Sequence, residues 1–214
     1  MSQESLNITQ YCSIQNGVVY LNGEPVFTDK NAQPTELFKN VYRHLEMKYP
    51  KFHKMDKLCK LAVLSCEQLL QNHSVEKYDA ENIALVICNK HSSLETDVQH
   101  QKSIADSENY FPSPAVFVYT LANIMLGEIA IKHGFKGENA CLVQENFNKK
   151  QFYEYCNMLF AKGETDCIIG GWVDFFENDY STHLLCTEKG ENSELSRPFD
   201  IDTLNQLFTI RKHG

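Results

Sequence analysis

The spacing of apolar residues along the chain predicts a succession of strands and helices that begins with a hairpin. A short apolar stretch leads into Asn22-Gly23, a pair that readily takes the left-handed conformations of a tight turn. A hairpin is therefore expected over residues 18–27. Apolar residues at helical spacing then predict helices over residues 37–49 and 55–69.

Short apolar runs bounded by polar residues are typical of strands that are buried in a sheet. Four such runs follow the second helix, at residues 82–88, 140–143, 166–173 and 182–186. The last run is expected to pair antiparallel with its neighbour. The Gly-Gly pair at positions 170 and 171 predicts close approach of another backbone or a bend.

Helical patterns lie between and after these strands. Apolar residues cover nearly all sides of a helix over 115–131, which predicts that this helix is sandwiched between layers. Further helices are expected over 149–162 and 201–210, while the polar residues 92–106 predict a short surface helix or a loop. Strands that alternate with helices indicate a layered α/β domain.

The charge balance narrows the classes of partner. The 214 residues carry a formal net charge of −8 at pH 7, so the composition gives no basic surface for nucleic acid or for an anionic membrane. No window approaches about 18 uninterrupted apolar residues, and the first residues lack the features of a signal peptide. A cytoplasmic protein that binds neither nucleic acid nor membranes is expected.

The eight cysteines lack the spacing of a zinc site or a disulfide framework. No Cys-x-x-Cys occurs, and the cysteines lie mostly inside apolar runs, so they are expected to be small buried side chains. His183 and Cys186 come nearest to a ligand pair, but three residues apart on a strand they point to opposite faces. No metal and no cofactor are therefore expected.

Three segments of the chain together resemble one enzyme family. They are residues 113–127 (SPAVFVYTLANIMLG), 137–146 (GENACLVQEN) and 162–171 (KGETDCIIGG). In this order they closely resemble the N-terminal half of the β-ketoacyl synthases of fatty-acid and polyketide assembly. The resemblance covers roughly residues 54–174.

The resemblance implies a single thiolase-like half-domain, an α/β fold with a mixed five-stranded sheet layered between helices. The chain is then one domain over 1–214, with a hairpin and helix extension at 1–53, a core at 54–187, and a loop and helix at 188–214. The second half of the family, which carries its two catalytic histidines, is not expected in this chain.

The resemblance also locates the position of the nucleophile. In the family, the reactive cysteine lies twenty residues before the aspartate of the third segment, which is Asp166 here. That position holds Asn146, within the elbow Gln144-Glu145-Asn146-Phe147, and an asparagine cannot form a thioester. The small residues that follow the cysteine in the family are replaced by larger ones. The resemblance therefore implies no catalytic residue in this chain.

Two interpretations of Asn146 are open. Its amide can donate hydrogen bonds to an acyl oxygen, as the glutamine of chain-length-factor subunits and of decarboxylating loading ketosynthases does in the family. Alternatively, Asn146 caps the helix that begins at Lys149, a role that asparagine fills well, and we favour the cap. Glu145 is expected to be a solvated or capping carboxylate rather than a general base.

Three hypotheses of function follow from the resemblance. The first is a non-catalytic, chain-length-factor-like subunit in fatty-acid, polyketide or aryl-polyene biosynthesis. The second is a 3-oxoacyl synthase, a transferase acting on carrier-bound substrates, that is active only when another chain supplies the missing half. The third is an acyl or small-molecule binding module.

The resemblance implies a dimer. In the family, the strand before the nucleophile lies at the sheet edge and pairs with its twin across a two-fold axis. The corresponding interface residues here are Ala140, Cys141, Leu142 and Val143, with Thr120 and Asn123 near the axis. The expected partner is a second copy or a ketosynthase. An acyl carrier protein is a further candidate, although carriers are acidic and like charges slow encounter. The alternative is a monomer whose helix 201–210 covers the edge.

Overall fold

The structure, a computed structural model, describes residues 5–108, 110–190 and 196–208, which form eight strands and seven α-helices. In chain order they are β1 Leu6–Gln15, β2 Val18–Leu21, β3 Glu24–Thr28, α1 Pro34–His44, α2 Lys57–Leu70, β4 Ile83–Asn89, α3 Leu94–Ile104, α4 Pro114–Phe117, α5 Ile124–His133, β5 Asn139–Val143, α6 Lys149–Lys162, β6 Cys167–Phe176, β7 Asp179–Lys189, β8 Arg197–Pro198 and α7 Ile201–Leu207. Single turns of 3₁₀ helix cover Pro50–Lys54, Ala80–Asn82 and Val118–Thr120.

All the strands belong to one mixed sheet with the order β3-β2-β1-β7-β6-β4-β5, and β8 also pairs with β1. Strand β4 lies parallel to β5 and β6, while β7 is antiparallel to β6, as predicted. The described residues form eight strands, so the expectation of five is wrong. The main omission is β1, which lies between β2 and β7 near the middle of the sheet.

Helices cover both faces of this sheet, which confirms the layered α/β arrangement. On one face, α1, α2 and α5 enclose a core that includes Leu37, Leu61 and Ile129, and α2 is buried along most of its length. On the other face, α6 and α7 pack on a second core that includes Phe152 and Leu204. The sheet therefore supports two separate hydrophobic layers, one on each side.

The glycine pair in β6 allows close packing inside the sheet, as its sequence predicts. Gly171 has a φ of +140°, and a Cβ at this position would collide with the carbonyl oxygen of His183 on β7. A Cβ at Gly170 would collide with the carbonyl oxygen of Val86 and press on the ring of Phe152. Gly170 thus lets α6 approach β6 closely, and Gly171 lets the backbones of β6 and β7 approach each other.

Two predicted helices have different bounds in the structure. Helix α1 ends at His44 rather than at residue 49, because Glu46 takes a positive φ of 51° and the chain turns there. The helix predicted over 115–131 is broken into α4, a 3₁₀ turn and α5, and the two parts are bent by 101°. Ser93 Oγ donates to Thr120 O at the break, 2.9 Å away.

The break exposes apolar side chains that were expected to be sandwiched. Phe117 is 58% exposed and Leu121 is 54% exposed. Over the described ranges, no single helix is long and apolar enough to cross a membrane. The bent pair formed by Pro114–Thr120 and Ile124–His133 reaches that length only when its two arms are counted together.

Candidate functional site

The elbow between β5 and α6 is shaped by Gln144. Its backbone N–H donates to the carbonyl oxygen of Asn89 at the end of β4, 2.8 Å away, which extends the ladder by one bond. Its side-chain oxygen accepts from the N–H of Asn148 at 3.0 Å, and its side-chain nitrogen donates to Gln151 at 2.9 Å. One glutamine therefore ties the end of the strand to the first turn of the helix.

Asn148 caps α6, so the prediction that Asn146 is the cap is wrong. The Asn148 side chain accepts a hydrogen bond from the N–H of Gln151 at 3.1 Å. An N-cap side chain must reach the second or third amide of the helix, and only the residue immediately before Lys149 is in that position. Asn146 is exposed and has no side-chain hydrogen bond to any residue that the structure describes.

Replacing Asn148 with Ala should lower the free energy of unfolding by about 1 kcal/mol, since one amide of the first turn of α6 loses its partner. Asn146→Ala is the matched control and should change the stability by less than about 0.5 kcal/mol. Urea denaturation followed by circular dichroism measures both changes. Equal losses in the two variants would contradict the assignment of the cap.

Phe147 closes the elbow toward the interior. Its ring lies 5.4 Å from that of Phe152 on α6, 6.1 Å from Trp172 on β6 and 4.9 Å from Phe208 after α7, measured between centroids. The contacts with Phe152 and Phe208 are edge-to-face, which is favourable aromatic geometry, and the contact with Trp172 is tilted. The residue that follows Asn146 is therefore an aromatic side chain packed on three other rings.

No described cysteine near the elbow is an activated thiol. Burial raises the pKa of the Cys141 thiol above its usual range, and the thiol donates to the carbonyl oxygen of Ala122 at 3.4 Å. Burial likewise raises the pKa of Cys88, on the adjacent strand, to about 12. Since the thiolate is the reactive form, both side chains are inert at neutral pH. Glu145 is exposed, as expected of a solvated carboxylate.

Strand β5 is an edge strand whose outer side is open. Within the described residues it pairs only with β4, through bonds that include Glu138 O at one end and Gln144 N at the other. In a parallel pair each residue directs its N–H and C=O to the same side, and successive residues alternate. The even-numbered residues therefore face β4, while Asn139, Cys141 and Val143 present their backbone groups to the open edge.

The structure brings the two predicted interface segments together. Cys141 on β5 contacts the loop at Ala122, which lies between Thr120 and Asn123. Asn123 is exposed and Thr120 is partly exposed. On β5, Val143 is 57% exposed, while Ala140 and Leu142 pack partly on the core under α6.

Exposed apolar side chains lie on the same segment of chain as Thr120 and Asn123. Phe111 is 77% exposed, and Phe117, Val118 and Leu121 are about half exposed. Such a concentration of exposed apolar residues, next to an unpaired strand edge, is typical of an interaction surface.

The C-terminal helix does not cover this edge. Its described part packs against α6 and beside β1, where Phe199 and Leu204 join the core that contains Ile8 and Phe152. This position lies toward the opposite side of the sheet from β5. The alternative in which helix 201–210 covers the edge is therefore wrong for its described residues, and residues 209 and 210 lie outside them.

His183 and Cys186 point to opposite faces of β7, as the spacing predicted. The ring of His183 packs edge-to-face on Phe208, 5.6 Å between centroids, and Cys186 belongs to the core under α2. Cys186 instead lies near His73 and Glu188, a cluster that was not predicted from the sequence. No local spacing signals this cluster, because His73 follows α2 and is far from β7 along the chain. His133, at the end of α5, pairs with Glu67 at 2.7 Å.

His183 lines a cavity of about 480 Å³ between the β1–β2 hairpin, β7 and α7. The lining also includes Tyr11, Ser13, Lys30 and Arg197. His183 is 8% exposed, and its Nε2 has no hydrogen-bond partner among the described residues. Burial lowers the pKa of His183 to about 4, and the charge of Lys149 acts in the same direction. The imidazole is therefore neutral at pH 7.

The buried neutral His183 should make the fold sensitive to mild acid. Its pKa is near 6.5 in the unfolded chain and about 4 in the folded chain, so the unfolded state binds the proton first as the pH falls. The contribution of the neutral His183 to the free energy of unfolding is fully present above about pH 6.5 and is lost as the pH falls from about 6.5 to 4. We expect a loss of about 2 kcal/mol between pH 7 and 5 that His183→Gln does not show. Equal pH profiles of urea denaturation would contradict this.

Comparisons with solved structures establish the fold. A structure described as the ishigamide ketosynthase/chain length factor matches with a TM-score of 0.66 and 16% identity, covering 89% of this chain and 63% of that one. A ketosynthase in complex with its chain length factor from Xenorhabdus doucetiae matches with a TM-score of 0.57 and 17% identity, over 89% and 81% of the two chains.

A third structure, of a type II polyketide acyl carrier protein in complex with its ketosynthase bound to the hexaketide, matches with a TM-score of 0.60 and 12% identity, over 87% and 63%. The chain thus has the fold of ketosynthase and chain-length-factor proteins and spans 63% of the length of the first and third structures. No protein-family model and no curated protein matches the sequence.

Proposed function

We propose that this chain is a non-catalytic, chain-length-factor-like subunit that pairs with a ketosynthase in polyketide or aryl-polyene biosynthesis. One observation carries the proposal: the elbow between β5 and α6 has the fold of a ketosynthase but no nucleophile. The resemblance assigns Asn146 to the nucleophile position; its side chain is exposed, and the ring of Phe147 next to it packs on Phe208.

The same geometry argues against an enzyme that another chain completes. Such a partner would have to supply the nucleophile as well as both histidines. It would also have to displace Phe147 from Phe152 and Phe208, which pack around it. A subunit that shapes or supports the active site of a partner requires none of these changes.

The open edge of β5 supports a partner that adds a strand. Three residues offer unpaired backbone groups there, and an apolar edge strand that is left open invites pairing with another chain. A ketosynthase chain is the occupant proposed, because one of the similar structures is a ketosynthase in complex with its chain length factor. A homodimer would use the same edge.

The acyl carrier protein belongs to the proposal through the ketosynthase. With a net charge of −8, this chain repels an acidic carrier, whereas a ketosynthase surface with positive charge attracts it. The carrier is therefore expected to dock on the partner chain. A cytoplasmic location is part of the same proposal, since the expected substrates are carrier-bound.

Co-expression with ketosynthases of the same genome tests this function. Light scattering should show a complex with one of them at one to one stoichiometry, and the chain length of the acyl product should change when this subunit is omitted. A purified chain that binds no ketosynthase and alters no product distribution would overturn the proposal.

The cavity beside His183 favours a second candidate function, a small-molecule binding module. Its volume of about 480 Å³ lies in the range of ligand pockets, and the unpartnered imidazole Nε2 is available for a hydrogen bond. Lys30 and Arg197 at its wall favour a ligand with an acidic group. Thermal-shift screening of acyl and aromatic carboxylates, with His183→Gln as the control, tests this candidate.

A further inference from the structure

Three side chains that can bind a metal converge at the end of α2, away from the elbow, and the sulfur of Cys167 lies 3.5 Å from one of them, Cys186. Cys186 and Glu188 alternate on β7 and so share one face of the sheet, and Cys167 on β6 lies directly opposite Glu188 in the ladder. His73 reaches the same face from the turn after α2. The donor atoms of His73, Cys186 and Glu188 all lie within 4.8 Å of one another.

We propose that His73, Cys186 and Glu188, with Cys167 as the fourth donor, form a binding site for a divalent transition-metal ion of the Zn²⁺ type. Imidazole nitrogen, thiolate sulfur and carboxylate oxygen are the ligands that Zn²⁺ takes in proteins, in tetrahedral sets of four. This inference does not depend on the proposed function, because it concerns the opposite face of the sheet from Phe147 and α6.

Two of the distances in the cluster are close to those around a tetrahedral ion. Metal–ligand lengths of about 2.0–2.3 Å place two bound donor atoms about 3.3–3.8 Å apart. The sulfur atoms of Cys167 and Cys186 are 3.5 Å apart, and Nε2 of His73 lies 2.8 Å from Oε2 of Glu188. An ion held by His73, Cys186 and Glu188 therefore requires small side-chain shifts, and Cys167 must turn toward the ion to become the fourth donor.

The charges around the cluster also balance. Two thiolates and one carboxylate around a dication leave one net negative charge, and Lys77 compensates for it. The Lys77 ammonium contacts the other oxygen of Glu188 at 3.0 Å, so Oε2 stays available for the ion. A ligating carboxylate that is held by a second group in this way is typical of built metal sites.

The burial of this cluster fits a structural metal site rather than a catalytic thiol. Cys186 is fully buried and the Glu188 side chain is only 2% exposed, so a substrate of any size cannot reach the sulfur. The His73 side chain is 18% exposed and gives a small ion a route from solvent. A structural metal that ties the turn after α2 to β6 and β7 fits this arrangement.

Equilibrium dialysis of the full chain, stripped with a chelator and then exposed to Zn²⁺ alone, tests the proposal. We expect one ion per chain. Co²⁺ should give the intense visible absorption of a tetrahedral thiolate site. Both signals should persist in Cys141→Ser, the matched control, because Cys141 lies on the β5 edge away from the cluster.

Two variants keep the test decisive. Loss of a group that only hydrogen-bonds to a metal ligand weakens metal binding by roughly 10- to 100-fold. Cys186→Ser removes a ligand itself, so its affinity for Zn²⁺ should fall by at least as much. His73→Ala should do the same, and it should fold because His73 lies at the surface end of the cluster. Three results would each overturn the proposal. The first is unchanged Zn²⁺ binding by His73→Ala, and the second is wild-type protein that binds less than about one ion per five chains. The third is a protein mass lower by two hydrogens, which would show a Cys167–Cys186 disulfide in place of bound metal.

Discussion

Incubation of the purified chain with malonyl and acyl thioesters is expected to leave residues 140–150 without any acyl group. A condensing enzyme needs a thiolate at the elbow, and a helix N-terminus activates such a thiol by favouring its anion. Here the elbow carries Asn146, which has no nucleophilic atom. Burial raises the pKa of the Cys141 thiol, on the strand before the elbow, so this thiol is protonated at pH 7.

Intact-mass spectrometry followed by peptide mapping measures the outcome. Asn146→Cys is the positive control, because it places an exposed thiol beside the N-terminus of α6, where iodoacetamide should label it. Wild-type protein that acquires an acyl mass between residues 140 and 150, including at Cys141, would refute the assignment of a silent subunit. Labelling of the control shows that the assay can detect a modified elbow.

Most of the layered fold could be predicted from apolar runs. The runs at 82–88 and 166–173 became β4 and β6, because a strand buried between two helical layers needs apolar residues on both faces, and the run at 140–143 became β5 at the sheet edge. Strand β1 was missed although Leu6, Ile8, Cys12 and Ile14 alternate as a strand pattern does. The polar residues between these apolar ones made the alternation hard to recognise, and no turn residues before the strand mark where it begins.

The hydrogen bonds at the elbow between β5 and α6 could not be predicted in detail. The family spacing pointed to Asn146 as the residue at the elbow. The cap, however, is the residue immediately before the first residue of α6, and the sequence has asparagines at both 146 and 148, of which Asn148 holds that place. Breaking of the 115–131 helix depends on a hydrogen bond from Ser93, which is distant along the chain. The metal-ligand cluster likewise joins a turn and two strands, and no local pattern encodes such a junction.

Proline at neighbouring positions of β5 should separate the stability of the fold from its assembly. Cys141 directs its N–H to the open edge, whereas Leu142 directs its N–H to β4. Cys141→Pro therefore removes a donor that only a partner strand would use, and proline is tolerated on the free side of an edge strand. Leu142→Pro removes a donor from the ladder within the chain.

We expect Cys141→Pro to weaken the complex with a ketosynthase, or with a second copy, at least tenfold, which corresponds to about 1.4 kcal/mol. Its free energy of unfolding should fall by only about 1 kcal/mol. Leu142→Pro should lower the stability by a further 1–3 kcal/mol or so, because the carbonyl that its N–H met is left unpaired. Light scattering at several concentrations and urea denaturation measure the two effects.

Cys141→Val is the matched control for the edge, since it keeps the backbone donor and a residue suited to strands while it removes the thiol. The complex should survive this change. If Cys141→Pro and Cys141→Val assemble equally well, the strand edge does not carry the interface, and the exposed apolar side chains of Phe117 and Leu121 would have to hold the partner instead. A wild-type chain that stays monomeric, both alone and with every ketosynthase tested, would contradict the proposal that a partner strand pairs with the edge of β5. These outcomes are distinct because the backbone groups of adjacent β5 residues point to opposite sides, one toward β4 and the next toward the open edge.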